Sequence, residues 1–167
     1  EIEAFLDGAQ FDYAVGSVHE LRGKNVHEPY FERFSETERQ TIVDEYFDAV
    51  VSLVDSGLFD ILAHPDIVER NTALRGLATE EQYREVAAAL ESSGTVPELN
   101  AGRINSSYGR FHPNADFLSV LSEYDIEVTI GSDAHKPDAV RDCVPALRDR
   151  VAELDLTVAS PSTILDR

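Results

Sequence analysis

The chain has 167 residues, 43% of them hydrophobic, which suits one domain with a real core and argues against disorder. Its 32 acidic residues against 14 basic ones give a net charge of −18, and Lys24 and Lys136 are the only lysines, a balance that argues against nucleic-acid and anionic-membrane partners. No apolar run approaches the ~20 residues that cross a bilayer, Glu1-Ile2-Glu3 does not open a signal peptide, and the single Cys143 can close no internal disulfide; the expectation is a soluble cytoplasmic protein.

Along the chain, strand patterns alternate with helix patterns. Phe11–Val18 (FDYAVGSV) reads as a first strand ending at His19, and the following loop, Glu20 to Phe34, gathers Arg22, Lys24, His27 and Arg33, suited to touching a substrate or to simple solvation. Ser35-Glu36-Thr37-Glu38 is a capping box opening a helix with Val43, Phe47, Val50 and Val54 on one face, ended by Gly57. Phe59–Ala63 (FDILA) is a second strand running into His64. Thr79 to Gln82 repeats the capping pattern ahead of Tyr83, Val86, Ala87 and Leu90. Thr95–Leu99 (TVPEL) is a third strand, leading through Glu98 to Asn100, and Asn114 caps a helix carrying Phe117, Leu118 and Leu121. Glu127–Ile130 is a fourth strand. Gly131 lets the chain turn sharply, Asp133 and His135 follow two residues apart, and Pro137 suits the first turn of a last helix that Pro145 should break after Cys143 and restart. Leu156–Ala159 closes the series. Such alternation with right-handed crossovers predicts one α/β domain with a parallel sheet, open or closed into a barrel.

Chemistry collects at the strand ends. His19, His64 and the Asp133/His135 pair all stand where a strand gives way to a loop, so three of the five histidines share one kind of position. A barrel brings strand ends from distant sequence into one ring at its carboxyl-terminal face. Imidazole and carboxylate donors suit zinc, manganese or iron, and without thiolates the set is of the catalytic rather than the structural kind. Taken singly, each residue has a plainer reading: a hydrogen-bonded loop histidine for His19 or His64, a helix cap for Asp133. Their coincidence favours a metal site. His27 and His112 read as surface or substrate-loop residues, and the role of Glu98 is open.

GSVH, DILAHPD, ELNAGR and GSDAHKP, in this order and spacing, resemble the later motifs of the polymerase and histidinol phosphatase (PHP) family, most closely its histidinol-phosphatase branch. The similarity runs from Phe11 to Leu156. It implies a distorted seven-stranded (βα)7 barrel holding a cluster of two or three divalent ions, zinc, manganese or iron, that hydrolyses a small phosphate ester, histidinol phosphate in histidine biosynthesis. By motif, His19, His64, Asp133 and His135 resemble metal ligands, Arg103 resembles the arginine that grips the substrate phosphate, and Asp133 or His135 could move the proton to the leaving oxygen. The family pattern opens with an H-x-H strand, and residues 1 to 10 hold no histidine. The expectation is therefore that residues 1–167 are the carboxyl-terminal part of one PHP barrel, with its first strands and about half its ligands lying outside this chain. The alternatives are a PHP phosphoesterase for another small ester or nucleotide, and a non-catalytic truncated unit.

The acidic excess, with arginine preferred to lysine, also fits a protein kept soluble in high salt, as in a halophilic archaeon. Self-repulsion at −18 should weaken the fold in dilute buffer and be screened as the Debye length shrinks to ~3 Å at molar salt. The unfolding temperature is expected to rise as KCl is added. A melting curve unchanged between dilute buffer and molar KCl would remove the high-salt reading.

Overall fold

The computed structural model describes residues 2–9, 11–154, 156–160, 162 and 164. Strands β1 (Val15–Gly16), β4 (Ile61–Leu62), β5 (Val96–Asn100) and β6 (Thr129–Gly131) pair in that order into one parallel sheet. The register sets Val15 beside Ile61, Ile61 beside Val96 and Asn100 beside Gly131. All four carboxyl ends therefore lie along one edge, and the loops that follow them meet there. Val158 continues the parallel pairing through a single bridge to Val128, so among the described residues Leu156–Ala159, predicted as a strand, pairs with the sheet at that bridge, and Ala159 packs beside Val96. The first strand is likewise shorter than predicted: Phe11 and Tyr13 are exposed, and ladder pairing begins only at Val15. A small antiparallel hairpin, β2 (Glu20–Leu21) and β3 (Lys24–Asn25), follows His19. Its turn residues Arg22 and Gly23 both have positive φ, 53° and 69°, which matches the twist of a two-residue hairpin.

The helices form where the capping signals stand. Ser35 and Thr79 each close a capping box, opening α2 (Glu36–Asp55) and α3 (Glu80–Ser92), while the Asn114 side chain accepts from the Phe117 N–H and opens α4 (Ala115–Glu123). The apolar faces of these helices meet in one aromatic cluster: the Phe47 ring lies 5.6 Å from Tyr83, which stacks on Phe117 at 4.5 Å. Leu62, Leu99 and Val128 of the sheet region join the same core. Pro145 does not break the last helix. α5 (Pro137–Leu154) runs through it, because proline removes a single backbone bond and the residues around it, Arg141 to Pro145 apart from Cys143, face solvent, where a released carbonyl is hydrated. A short helix α1 (Ile2–Ala9), which the sequence patterns did not indicate, buries none of its residues.

Tyr46 on α2 fixes the loop after β4. Its fully buried hydroxyl donates to the Pro65 carbonyl at 3.0 Å and accepts from the Ile67 N–H at 3.2 Å, on either side of Asp66. Tyr46→Phe keeps the packing but removes the donor to the buried Pro65 carbonyl, while the Ile67 N–H keeps the His64 carbonyl at 3.0 Å, so it is expected to cost about 1–3 kcal/mol in denaturant unfolding without a change in m. An unchanged midpoint would show that the loop is held by other contacts.

Candidate active site

The backbone turns hardest where two of the predicted ligands sit. His64, beyond β4, has φ +33°, and Asp133, beyond β6, has φ +44°, both in the left-handed region that side chains other than glycine seldom enter. Such conformations cost roughly 1 kcal/mol or more and are retained where the surroundings hold them. The sharp turn predicted at Gly131 thus falls on Asp133 instead. Gly131 is needed for space: a Cβ there would stand 1.6 Å from Glu98 Oε1. Gly102 serves Asp133 in the same way, with its hypothetical Cβ 2.5 Å from Asp133 Oδ2.

Between these turns lies a compact polar centre. The His19 and His64 rings meet edge to face with centroids 5.0 Å apart. Glu98, projecting from β5, accepts from the His64 N–H at 3.2 Å and from Asn100 Nδ2 at 2.9 Å. Arg70, the last residue of the turn of 3-10 helix at Ile67–Arg70 that follows His64, reaches Asp133 Oδ2 with Nη2 at 3.6 Å, its side chain only 8% exposed. Behind it, Arg70 Nε donates to His112 Nε2 at 2.8 Å, and His112 Nδ1 meets Asp66 Oδ1 at 2.5 Å. Burial, with the charges of Arg70 and His19, pushes the His64 imidazole down to about 4. Burial raises the Glu98 carboxyl, and the nearby Asp133 charge raises it further. The Arg70 guanidinium is lowered by burial and then by Arg103, with Asp133 acting against both.

The predicted residues come together only in part. His19 and His64 adjoin, and Asp133 stands across from Arg70, but His135 turns outward: its side chain is 78% exposed and its Nδ1 bonds to the Asp133 carbonyl at 2.9 Å. Among the described residues no three histidine, cysteine, aspartate or glutamate side chains stand close enough to hold one ion. Arg103 is exposed on the loop after β5, within charge range of Arg70 and His27. His27, read from sequence as a loop residue, is exposed, and partial desolvation with the charges of Arg70, His19, Arg103 and His112 lowers its basicity. Its loop neighbours do not join it: Arg22 forks onto Glu45, Lys24 lies 4.0 Å from Glu28, and Arg33 stacks over Tyr30 at 3.7 Å. Arg70 and the burial of His112 had no sequence signal beyond a cation six residues after His64 and a histidine ahead of a proline.

The donors nevertheless suit a divalent cation. His64 Nδ1 is buried and has no hydrogen-bond partner, a nitrogen lone pair left for something other than protein, and the His19 ring and two carboxylates are close by.

No family model matches the chain. Over 154 residues it is 27% identical to a protein of Deinococcus radiodurans described as a probable histidinol-phosphatase, a match spanning 89% of this chain and 58% of that protein. A Clostridium acetobutylicum protein of the same description is 26% identical over 144 residues, 80% of this chain and 54% of that one. The chain thus spans somewhat over half the length of the curated relatives it matches. Its fold is that of the crystal structure of a histidinol phosphate phosphatase from Lactococcus lactis, complexed with zinc, L-histidinol and phosphate, at a TM-score of 0.70 and 18% identity over 96% of this chain and 64% of that one.

In metal-free protein the lowered His64 makes the fold acid-sensitive. A histidine held neutral by burial contributes stability that is complete above its ordinary value and lost as the unfolded chain alone takes up the proton, here from about pH 6.5 down to about pH 4. The loss should be of order 3 kcal/mol. Glu98 works with the opposite slope, so the term is isolated by comparing wild type with His64→Asn across that window in EDTA. Parallel stability curves would show that His64 is not held neutral in the fold.

Proposed function

We propose that this chain carries part of the active site of a metal-dependent phosphomonoester hydrolase of the PHP type, acting on histidinol phosphate. The observation that carries the reading is the facing of two groups across one sheet edge: the His19/His64 imidazole pair with the Glu98 and Asp133 carboxylates, and the buried Arg70 guanidinium opposite. The relatives named as histidinol-phosphatases and the likeness to a zinc-containing phosphatase fold support it.

In this reading His19, His64 and Asp133 hold metal, joined by His135 when its exposed ring swings inward. A divalent ion held there would supply Lewis acidity toward a phosphoryl oxygen and activation of a water. The protein's own part is orientation and charge. Arg103, from the exposed loop, and Arg70, from below, offer planar forks of N–H donors to phosphoryl oxygens, which binds a tetrahedral anion in one pose. Arg70 already leans on a carboxylate, so an incoming phosphate exchanges one anionic partner for another rather than meeting an unpaired cation. Glu98, with its carboxyl raised, keeps the His64 backbone in its strained turn. Asp133 or His135 carries the proton to the departing alkoxide.

We also propose that the four-stranded sheet is part of a (βα)7 barrel whose remaining strands and ligands belong to sequence not included in these residues, because the relatives extend well beyond the matched span. The 167-residue chain supplied with Mn²⁺ or Zn²⁺ is then expected to release no phosphate from histidinol phosphate, while the chain joined to an upstream H-x-H strand does. In the longer protein, His64→Ala and Arg103→Ala should each lower kcat/KM by about 100-fold or more, and nucleoside monophosphates should be poorer substrates. Full turnover by the short chain would overturn the partial-site reading, and unchanged kinetics in both variants would overturn the residue roles.

A further inference from the structure

Asp66 and His112 are both fully buried, yet no step of the chemistry above uses them. Asp66 Oδ1 meets His112 Nδ1 at 2.5 Å, and Asp66 Oδ2 accepts the Asn114 N–H at 2.7 Å. Tyr108 covers the imidazole face in a parallel stack, centroids 4.6 Å apart and planes 3° apart, and the Arg75 guanidinium carbon lies 5.1 Å from the centre of the Tyr108 ring. The ring therefore has one orientation. With Arg70 Nε–H directed at Nε2, that nitrogen must carry a lone pair, so the proton sits on Nδ1 and is given to Asp66; only this neutral tautomer satisfies both bonds. Arg70 is held through the one N–H that a phosphate would not need. Its Nη2, buried and without a hydrogen-bond partner, is left pointing toward Asp133 at the mouth of the site.

We propose that the Asp66–His112 couple is a positioning device for Arg70: His112 grips the guanidinium from behind at Nε, Asp66 fixes the tautomer that makes His112 an acceptor, and the terminal N–H groups are thereby aimed at the bound phosphoryl group. The inference deepens the phosphatase reading and rests on it for the identity of the anion. It differs from a merely fold-fixing network in one respect. Loss of the acceptor at the Nε2 position should disorient Arg70, whereas loss of the donor at the Nδ1 position alone should not.

Two substitutions separate these. His112→Asn places an amide donor near the Nδ1 position and keeps Asp66 paired but removes the acceptor for Arg70. His112→Gln extends an amide oxygen toward the Nε2 position and keeps that acceptor. The probe is inorganic phosphate, titrated into EDTA-treated protein at fixed ionic strength and followed by its 31P resonance, with wild type, both variants and Arg70→Lys compared after circular dichroism has shown each to be folded. Phosphate affinity is expected to fall about fivefold or more in His112→Asn and in Arg70→Lys, and to be largely restored in His112→Gln. A second readout needs no variant: in wild-type protein the Arg70 Nε–H should give a slowly exchanging proton resonance that moves on addition of phosphate.

Equal affinity in wild type and His112→Asn overturns the proposal, as does an Arg70 Nε–H that exchanges as fast as those of surface arginines. Absence of phosphate binding to wild type also overturns it. If phosphate binding follows this pattern while the longer protein fails to hydrolyse histidinol phosphate, the substrate reading falls and the positioning role stands.

Discussion

The buried carboxylate of Asp66 is the constraint around which the site is arranged. Two segments far apart in sequence converge on it: the loop after β4 that carries it, and the stretch from the His112 ring to the Asn114 backbone that opens α4. A buried charge of this kind is tolerable only if its oxygens are filled by donors, and here both are. Tyr46 holds the residues on either side of it, tying α2 to the same point. The positions of His64 and Arg70, two and four residues away, follow from that anchoring. So does the start of α4, whose Asn114 cap also bonds the Tyr83 hydroxyl beside the aromatic stack. Core packing and site geometry are thus not separate achievements of the fold: one buried carboxyl, bonded to His112 Nδ1 and to the Asn114 N–H, ties both together.

The charge distribution is the counterpart of this arrangement. A chain with a net charge of −18 gathers His19, His27, His64, His112, Arg70 and Arg103 within electrostatic reach of one another at a single sheet edge. Burial, and then the charges of these neighbours, lowers the proton affinity of His64 and His27, which leaves His64 neutral and available as a lone-pair donor. An acidic surface around such a centre repels anions at a distance while the centre attracts them at close range.

The helices were legible because their signals are local. Ser35, Thr79 and Asn114 act through bonds to residues three positions on, and the apolar faces behind them repeat with the helical period. The parallel sheet was legible as an alternation, but its strand limits were not, since the length of a ladder depends on what lies alongside: the ladder begins at Val15, with the Ala14 carbonyl ahead of it accepting from the Asp60 and Ile61 N–H groups, while Phe11 and Tyr13 are exposed. The His19/His64 meeting could be anticipated from their common strand-end position. Arg70 and the buried state of His112 could not, because a charged residue in a loop carries no periodicity, and whether it is solvated or enclosed is decided by partners distant in sequence, 42 residues for the Arg70–His112 bond and 46 for His112–Asp66; the role of Glu98 is open in the sequence for the same reason, since its acceptance from the His64 N–H spans 34 residues. His135 stands beside Asp133 as the motif places it, but its bond to the Asp133 carbonyl leaves the ring turned toward water, an orientation that spacing in sequence does not encode.

Gly102 and Gly131 leave a consequence that reaches beyond this chain. Each is a space kept empty for a carboxylate on a neighbouring strand end, Asp133 in one case and Glu98 in the other. Neither vacancy tolerates even a methyl group while the acid remains in place. A sequence of the same fold that carries alanine or serine at either position must have displaced or discarded the acid opposite, and one that keeps both glycines retains room for the pair. The two glycines therefore act as a mould of the acidic half of the site. They offer a criterion for sorting distant sequences by whether that half survives, applicable where the carboxylates themselves align too poorly to be matched.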